Sequence, residues 1–200
     1  MAIDISLLAV PKEAERILTK AALQSDSEYG EAVFALPKAL EDTFVDFGHP
    51  DWIALRKDAK ELLQFYPKQQ FDTKFYYDTN RTYEVFDYLF AKHKNAVRNF
   101  KDATPFFYDG IVHSTSISGQ GFPLYYWDLE HTLAKKTLFE SVSFERLFQH
   151  YNLTNMKEEG VYKMEQFEEN FQELQQRFTQ INQFLADAVA LQGYVLVMKY

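Results

Sequence analysis

Seven apolar residues near one end of the chain, Phe167, Phe171, Leu174, Phe178, Ile181, Leu185 and Ala188, recur at alternating steps of four and three. With 3.6 residues per turn, that spacing lays a single stripe along one side of a helix. The stripe predicts a long helix from about Glu165 to Leu191. Glu165, Glu168, Glu169 and Glu173 crowd its first half, where the helix dipole favours negative charge. Gly193 follows as the expected C-terminal cap. Tyr194 to Met198 is apolar without a break, so that strand should be covered on both faces and lie inside a sheet. A long one-faced helix joined to a two-faced strand demands a sheet with helices packed on it.

The opposite end supplies a second strand. Ile3, Ile5 and Leu7 alternate with Ala2, Asp4 and Ser6, which is strand period. This strand, residues 2 to 9, is expected to pair with residues 194 to 199. Pro11 then stands in the first turn of a helix reaching about Leu23 on the face Ala14, Ile17, Leu18 and Ala21. Residues 28 to 47 are ambiguous, because Pro37 interrupts any helix there and Gly48 closes the segment. Pro50 opens a helix with the stripe Trp52, Leu55, Ala59, Leu62 and Leu63, ending before Pro67. KQQFDTKFYYD, residues 68 to 78, fits a strand or an aromatic loop.

Asp78 or Thr79 is the expected cap of a helix whose inner face is Tyr83, Phe86, Leu89 and Phe90. Phe106 to Ile117 fits a short strand or one turn of helix around Ile111 and Val112. Phe122 to Trp127 reads as a strand, and Asp128 as the N-cap of a helix bearing Leu129, Leu133, Leu138 and Phe139. Ser143 caps a shorter helix, and Gly160 ends the next turn. Linkers, repeats and charge blocks are missing from the sequence. The expectation is one α+β domain over residues 1–200, with a small mixed sheet that includes the N- and C-terminal strands.

Three stretches together carry a family likeness. FPLYYWDLEHTLAKKTLFESVS is followed by SFERLFQHYNLTNMKEEGVY, and the long helix leads to GYVLVMKY. This order resembles the YfbM-like family, small bacterial cytoplasmic proteins of unknown function. The likeness is firmest from Asp78 to Tyr200, with Met156 ahead of Val161-Tyr162. Lys163 stands where the family usually has Pro, and Tyr83 and Asp87 where it often has Trp and His. Residues 28 to 76 look like an enlargement without a counterpart. The resemblance implies an α+β domain and carries no catalytic residues.

Bulk properties narrow the function. Cysteine is absent, which excludes disulfides and thiolate metal sites. A net charge of −8 lowers the expectation of nucleic-acid or anionic-membrane partners. The first ten residues, MAIDISLLAV, make a poor signal peptide, and no apolar run is long enough to span a bilayer. The expectation is a cytoplasmic protein.

HSTSISGQGF, residues 113 to 122, raises the question of a nucleophile beside its base. No G-x-S-x-G elbow surrounds Ser114 or Ser116, and hydroxyls beside glycines serve a loop's own backbone. WDLEH places Asp128, Glu130 and His131 at a helix start, a chemistry that suits a metal or an acid–base pair. Capping explains Asp128 more simply. The basic stretch KHKNAVRNFK, residues 92 to 101, is explained by a solvated helix end. The aromatic runs Phe75-Tyr76-Tyr77, Phe106-Phe107-Tyr108 and Tyr125-Tyr126-Trp127 give the best functional hint. Alternate members pack inward and the others can grip a partner. The sequence therefore points to a non-enzymatic binding module with an acidic, aromatic-rich surface, gripping through Tyr77, Phe107, Tyr126 and Trp127. Its partner is a protein or a small ligand, and a homodimer is open. Neither a cofactor nor a metal is called for. The alternative is a small hydrolase or metal-dependent enzyme using His113 or His131 with Asp128 or Glu130.

Overall fold

The computed structural model describes residues 4–24, 27–79, 82–94, 111–114, 124–161 and 171–199. Five strands form one sheet: β1 (Ile5–Val10), β2 (Tyr76–Asp78), β3 (Ile111–Ser114), β4 (Leu124–Trp127) and β5 (Tyr194–Lys199). Their spatial order is β2-β1-β5-β4-β3. The two terminal strands are neighbours, in register from Ile5 opposite Lys199 to Val10 opposite Tyr194. β5 is the central strand, as its unbroken apolar run requires. Each described ladder is antiparallel, so the sheet is not mixed in direction.

All six residues of β1 are buried, including Ser6. The alternation read in its sequence therefore does not mark a wet face. Helices cover both sides, and Tyr66 donates its hydroxyl to the Ala9 carbonyl at 2.9 Å, beyond the point where β2 stops pairing. An edge carbonyl is thereby satisfied in the interior.

Nine described helices surround the sheet: α1 (Glu15–Leu23), α2 (Glu28–Ala32), α3 (Leu36–Leu40), α4 (Pro50–Leu63), α5 (Tyr83–His93), α6 (Leu129–Glu140), α7 (Phe144–Phe148), α8 (Leu153–Glu158) and α9 (Phe171–Leu191). The α9 stripe is buried at Leu174, Phe178, Ile181, Leu185 and Ala188. Phe178 is a hub, with ring centroids 6.1 Å from Phe86, 5.3 Å from Phe139 and 5.5 Å from Phe144. One ring thus joins α9 to α5, α6 and α7, and the aromatic excess is largely core. Among the described residues, no helix is long and apolar enough to cross a membrane.

Local signals explain the helix ends. Pro37 does break the 28–40 segment, which runs as α2, a 3-10 turn and α3, with Pro37 in the first turn of α3. Asp128 and Ser143 cap α6 and α7 as expected, accepting from His131 N and Arg146 N. Gly160 takes φ 76° after α8, where Val161 N reaches back to the Met156 carbonyl. For α5 the cap residue is Thr82 rather than Asp78 or Thr79.

Gly193 has a different role from the one expected. The left-handed residue after α9 is Gln192, at φ 54°. A Cβ on Gly193 would lie 1.8 Å from the Val10 carbonyl oxygen, so glycine is required for backbone to pass backbone.

Candidate functional site

The β4–α6 junction gathers most of the sequence-proposed residues. Trp127, the last residue of β4, is fully buried, and the Lys135 ammonium lies 4.8 Å from its ring centroid. Asp128 Oδ1 accepts from the His131 amide at 2.9 Å and lies 2.8 Å from His131 Nδ1. A carboxylate only accepts, so Nδ1 carries the proton of that bond and Nε2 is left at the open side of the ring. Burial pulls the Asp128 carboxyl upward, but the His131 amide and ring outweigh it and hold it below its ordinary value. Thr132 Oγ1 donates to the Asp128 carbonyl at 2.7 Å, fixing the first turn. Glu130 is exposed beside it.

Two tyrosines face this cap. Tyr126 and Tyr194 meet edge to face, centroids 5.4 Å apart. Burial, then the hydrogen-bonded Glu15 carboxylate, pushes the Tyr194 phenol up. Glu15 also lines a cleft of about 660 Å³ along α1, with Arg16, Thr19, Lys20 and Leu23. That volume lies in the range of small-molecule sites.

Acid–base chemistry here would need a nucleophile. The β3–β4 ladder sets Ser114 opposite Leu124, with a register shift between Val112 and Ser114. Leu124 precedes Asp128 by four extended residues, roughly 13 Å of strand. The ladder thus brings the backbones of His113 and Ser114 to the far end of β4 from Asp128. Ser116 and Phe107, like most of the basic stretch and the first turn of the long helix, lie outside the described residues. Among the described residues, no group of three or more His, Asp or Glu side chains could hold a metal ion.

Of the gripping aromatics, Tyr77 and Trp127 are core. Tyr77 packs against Phe184, 6.1 Å between centroids, and Trp127 has no exposed surface. Tyr77 keeps only 8% of its surface exposed on the edge strand, and Trp127 none. Tyr126 is half-buried against Tyr194.

Large exposed apolar residues include Leu23 at the end of α1, Phe65, Leu133 and Phe171, and three more gather on the α3–α4 turn and the first turn of α4. Phe47 is 87% exposed, Val45 61% and Ile53 48%. α3 ends with Asp42 left-handed at φ 57°, and Thr43 N reaches back to the Lys38 carbonyl at 3.0 Å. Arg56, one side of α4, lies 3.0 Å from Asp42 and 3.8 Å from Asp46, so it clamps both ends of the turn. Asp46 Oδ1 accepts from Gly48 N at 3.0 Å, and Phe44 stacks on Trp52 at 5.4 Å. Phe47 itself is left-handed at φ 47°, followed by Gly48 at φ 79°. Sequence reasoning passed over this turn because an apolar residue is expected inside. The available signal was DFGHP, an aromatic residue set among turn-formers.

The class is clear at this point: an α+β protein with a central antiparallel sheet and an aromatic helical layer. A family model described as a domain of unknown function (DUF1877) matches residues 26–198, and the chain belongs to that family. The match spans residues 28–76, which the sequence reading set apart as an enlargement. No curated protein and no solved structure matches the chain.

Proposed function

We propose that this chain is a single-domain binding module that docks on a protein partner through the α3–α4 turn. One observation carries the reading: Phe47 is almost wholly exposed in a left-handed conformation that costs an L-residue about 1–2 kcal/mol. The turn bond from His49 N to the Asp46 carbonyl accounts for the backbone shape but not for an aromatic ring at that position, and the exposed ring is what supports a residue displayed for another molecule. The Arg56 clamp keeps the turn ordered before binding, which lowers the entropy lost on docking. Val45 and Ile53 widen the apolar surface. The partner's matching feature is an apolar pocket able to take an aromatic ring.

The nearby acids do not dominate. Asp42 and Asp46 are paired with Arg56, so the contact is apolar in character and only weakly dependent on salt. An acidic gripping face, as expected from the net charge, is a secondary feature of this reading. A cytoplasmic bacterial setting and YfbM-like kinship accompany it as proposals.

The experiment is a crosslinking pull-down from native extract with wild type and a Val45→Ser/Phe47→Ser double variant. A specific band lost in the double variant, at both low and high salt, supports the turn. A partner retained equally by both proteins removes it. Hydrolysis at Asp128 and His131 is the second reading, favoured by their 2.8 Å contact. Activity on ester or amide substrates that disappears in His131→Ala would establish it.

A further inference from the structure

Two of the described histidines sit beside a carboxylate. His49 Nδ1 lies 3.1 Å from Glu28, and His131 Nδ1 lies 2.8 Å from Asp128. A proton on either ring gains an ion pair. His93, the last residue of α5, and His150, in the turn after α7, are placed differently. Both side chains are half-buried. Their rings meet edge to face with centroids 5.4 Å apart, and His93 Nδ1 lies 3.3 Å from His150 Nε2. Among the described residues, neither ring has an ion-pair partner. The charged groups on the elements packed here are Lys92 and Lys94 at the end of α5, Glu145 and Arg146 on α7, and Lys157, Glu158 and Glu159 at the end of α8. Of the carboxylates, Glu159 is taken by Lys92 at 2.6 Å and Glu145 by Gln175 at 3.1 Å.

A neutral imidazole has one N–H and one lone pair, so one ring of the pair donates and the other accepts. One added proton keeps that bond and makes it charge-assisted. A second proton removes the last lone pair. Both facing nitrogens are then donors, and two like charges stand across a single contact. The bond survives one proton and not two.

We propose that His93 and His150 form an acid-released latch between α5 and the α7–α8 turn. The two residues are 57 apart in the chain, so the bond joins elements that are not neighbours in sequence. The Lys92–Glu159 pair ties the same end of α5 to α8, so opening the latch loosens this joint without parting it. In the unfolded chain each ring takes up its proton independently. The unfolded state therefore binds more protons in acid, and the latch's contribution to stability falls as pH falls. Histidine contacts of this kind are a known form of pH sensor.

The test compares the untagged chain with His150→Gln and His93→Gln, because a glutamine amide can donate and accept but takes no proton in this range. Urea denaturation is followed from about pH 7.5 to about pH 5, where imidazole changes charge. The difference between wild type and each variant cancels the contributions of His49 and His131. Over that range the unfolding constant of wild type should rise by about threefold or more relative to His150→Gln, the ceiling for one proton being about tenfold per pH unit. The NMR signals of both rings should titrate in two coupled steps. His93→Gln should behave as His150→Gln does, and it serves alone if His150→Gln fails to fold. Equal pH dependence in wild type and the variants, or two independent single-step ring titrations, would overturn the latch.

Discussion

Among the described residues, two turns hold a non-glycine residue in the left-handed region immediately before a glycine. At Gln192-Gly193 the chain leaves α9 and enters β5. At Phe47-Gly48 it links α3 to α4. The first turn is locked into the interior: Gly193 touches the backbone of Val10 and Pro11, and β5 continues as the central strand. The second is open: a Cβ on Gly48 would meet nothing within 4 Å, and Phe47 points into water. At Gln192 the strain is offset by the sheet it allows to close. At Phe47 the backbone is held by a local turn, with His49 N bonded to the Asp46 carbonyl at 3.0 Å, while the ring is left exposed. Similar backbone shapes thus close a sheet in one place and, in the other, a local turn whose aromatic ring the fold does not use.

The sharpest way to break this comparison is to make the same substitution in both turns. Gly193→Ala drives a Cβ into the Val10 carbonyl, where only backbone could move. The expected loss is about 3 kcal/mol, or failure to fold, read by urea denaturation. Survival with a loss under about 1 kcal/mol would mean that the β1–β5 junction yields, and that the interior turn is not locked.

Asp128, close to Tyr194 at the same end of the sheet, tests that region by charge. Asp128→Ala removes the α6 cap and should lower stability by about 1 kcal/mol at neutral pH. The carboxyl is held below its ordinary value in the folded chain. Its contribution is therefore fully present above the unfolded value of about 3.9 and is lost as pH falls through the folded value. Wild type and variant should differ at neutral pH and converge as the solution is made more acid than about pH 3.9. A gap that persists undiminished well below that pH would contradict the assignment.

Gly48→Ala is the counterpart of the first substitution. With open space around it, only the φ of 79° resists a side chain, and the expected loss is about 1 kcal/mol. The ratio between the two alanine variants, measured under one set of conditions, gives the difference between a steric lock and a strained but free turn.

Much of the interior was legible in the sequence, for physical reasons that also explain the failures. The α9 stripe, the α4 stripe and the apolar β5 run are long periodic signals, and burial follows from them almost by geometry. Asp128 and Ser143 were readable as caps because capping is local, decided within three residues. Gly193 was read as a cap because the contact that requires it comes from Val10, far away in sequence. The burial of Tyr77 and Trp127 escapes the sequence because nothing local says which member of an aromatic run turns inward. The His93–His150 contact joins residues 57 apart, and spacing alone could not show it. Phe47 was missed for the opposite reason: its chemistry argued for burial, and only the fold shows it exposed.

The smallest expected effect is the most informative about function. Phe47→Asn places at φ 47° a residue that tolerates the left-handed region. The free protein should gain about 0.5–1 kcal/mol, a rise of roughly 2 °C in melting temperature for a chain of this size. Phe47→Ala is the control, since alanine keeps the backbone strain and removes only the ring. If the ring is idle in the free protein, alanine should be neutral and asparagine stabilising, with both variants losing the partner. A clear loss of stability in Phe47→Ala would mean that the ring packs within its own chain. The contrast between the two turns would then vanish, because each would hold its strain for the fold's sake.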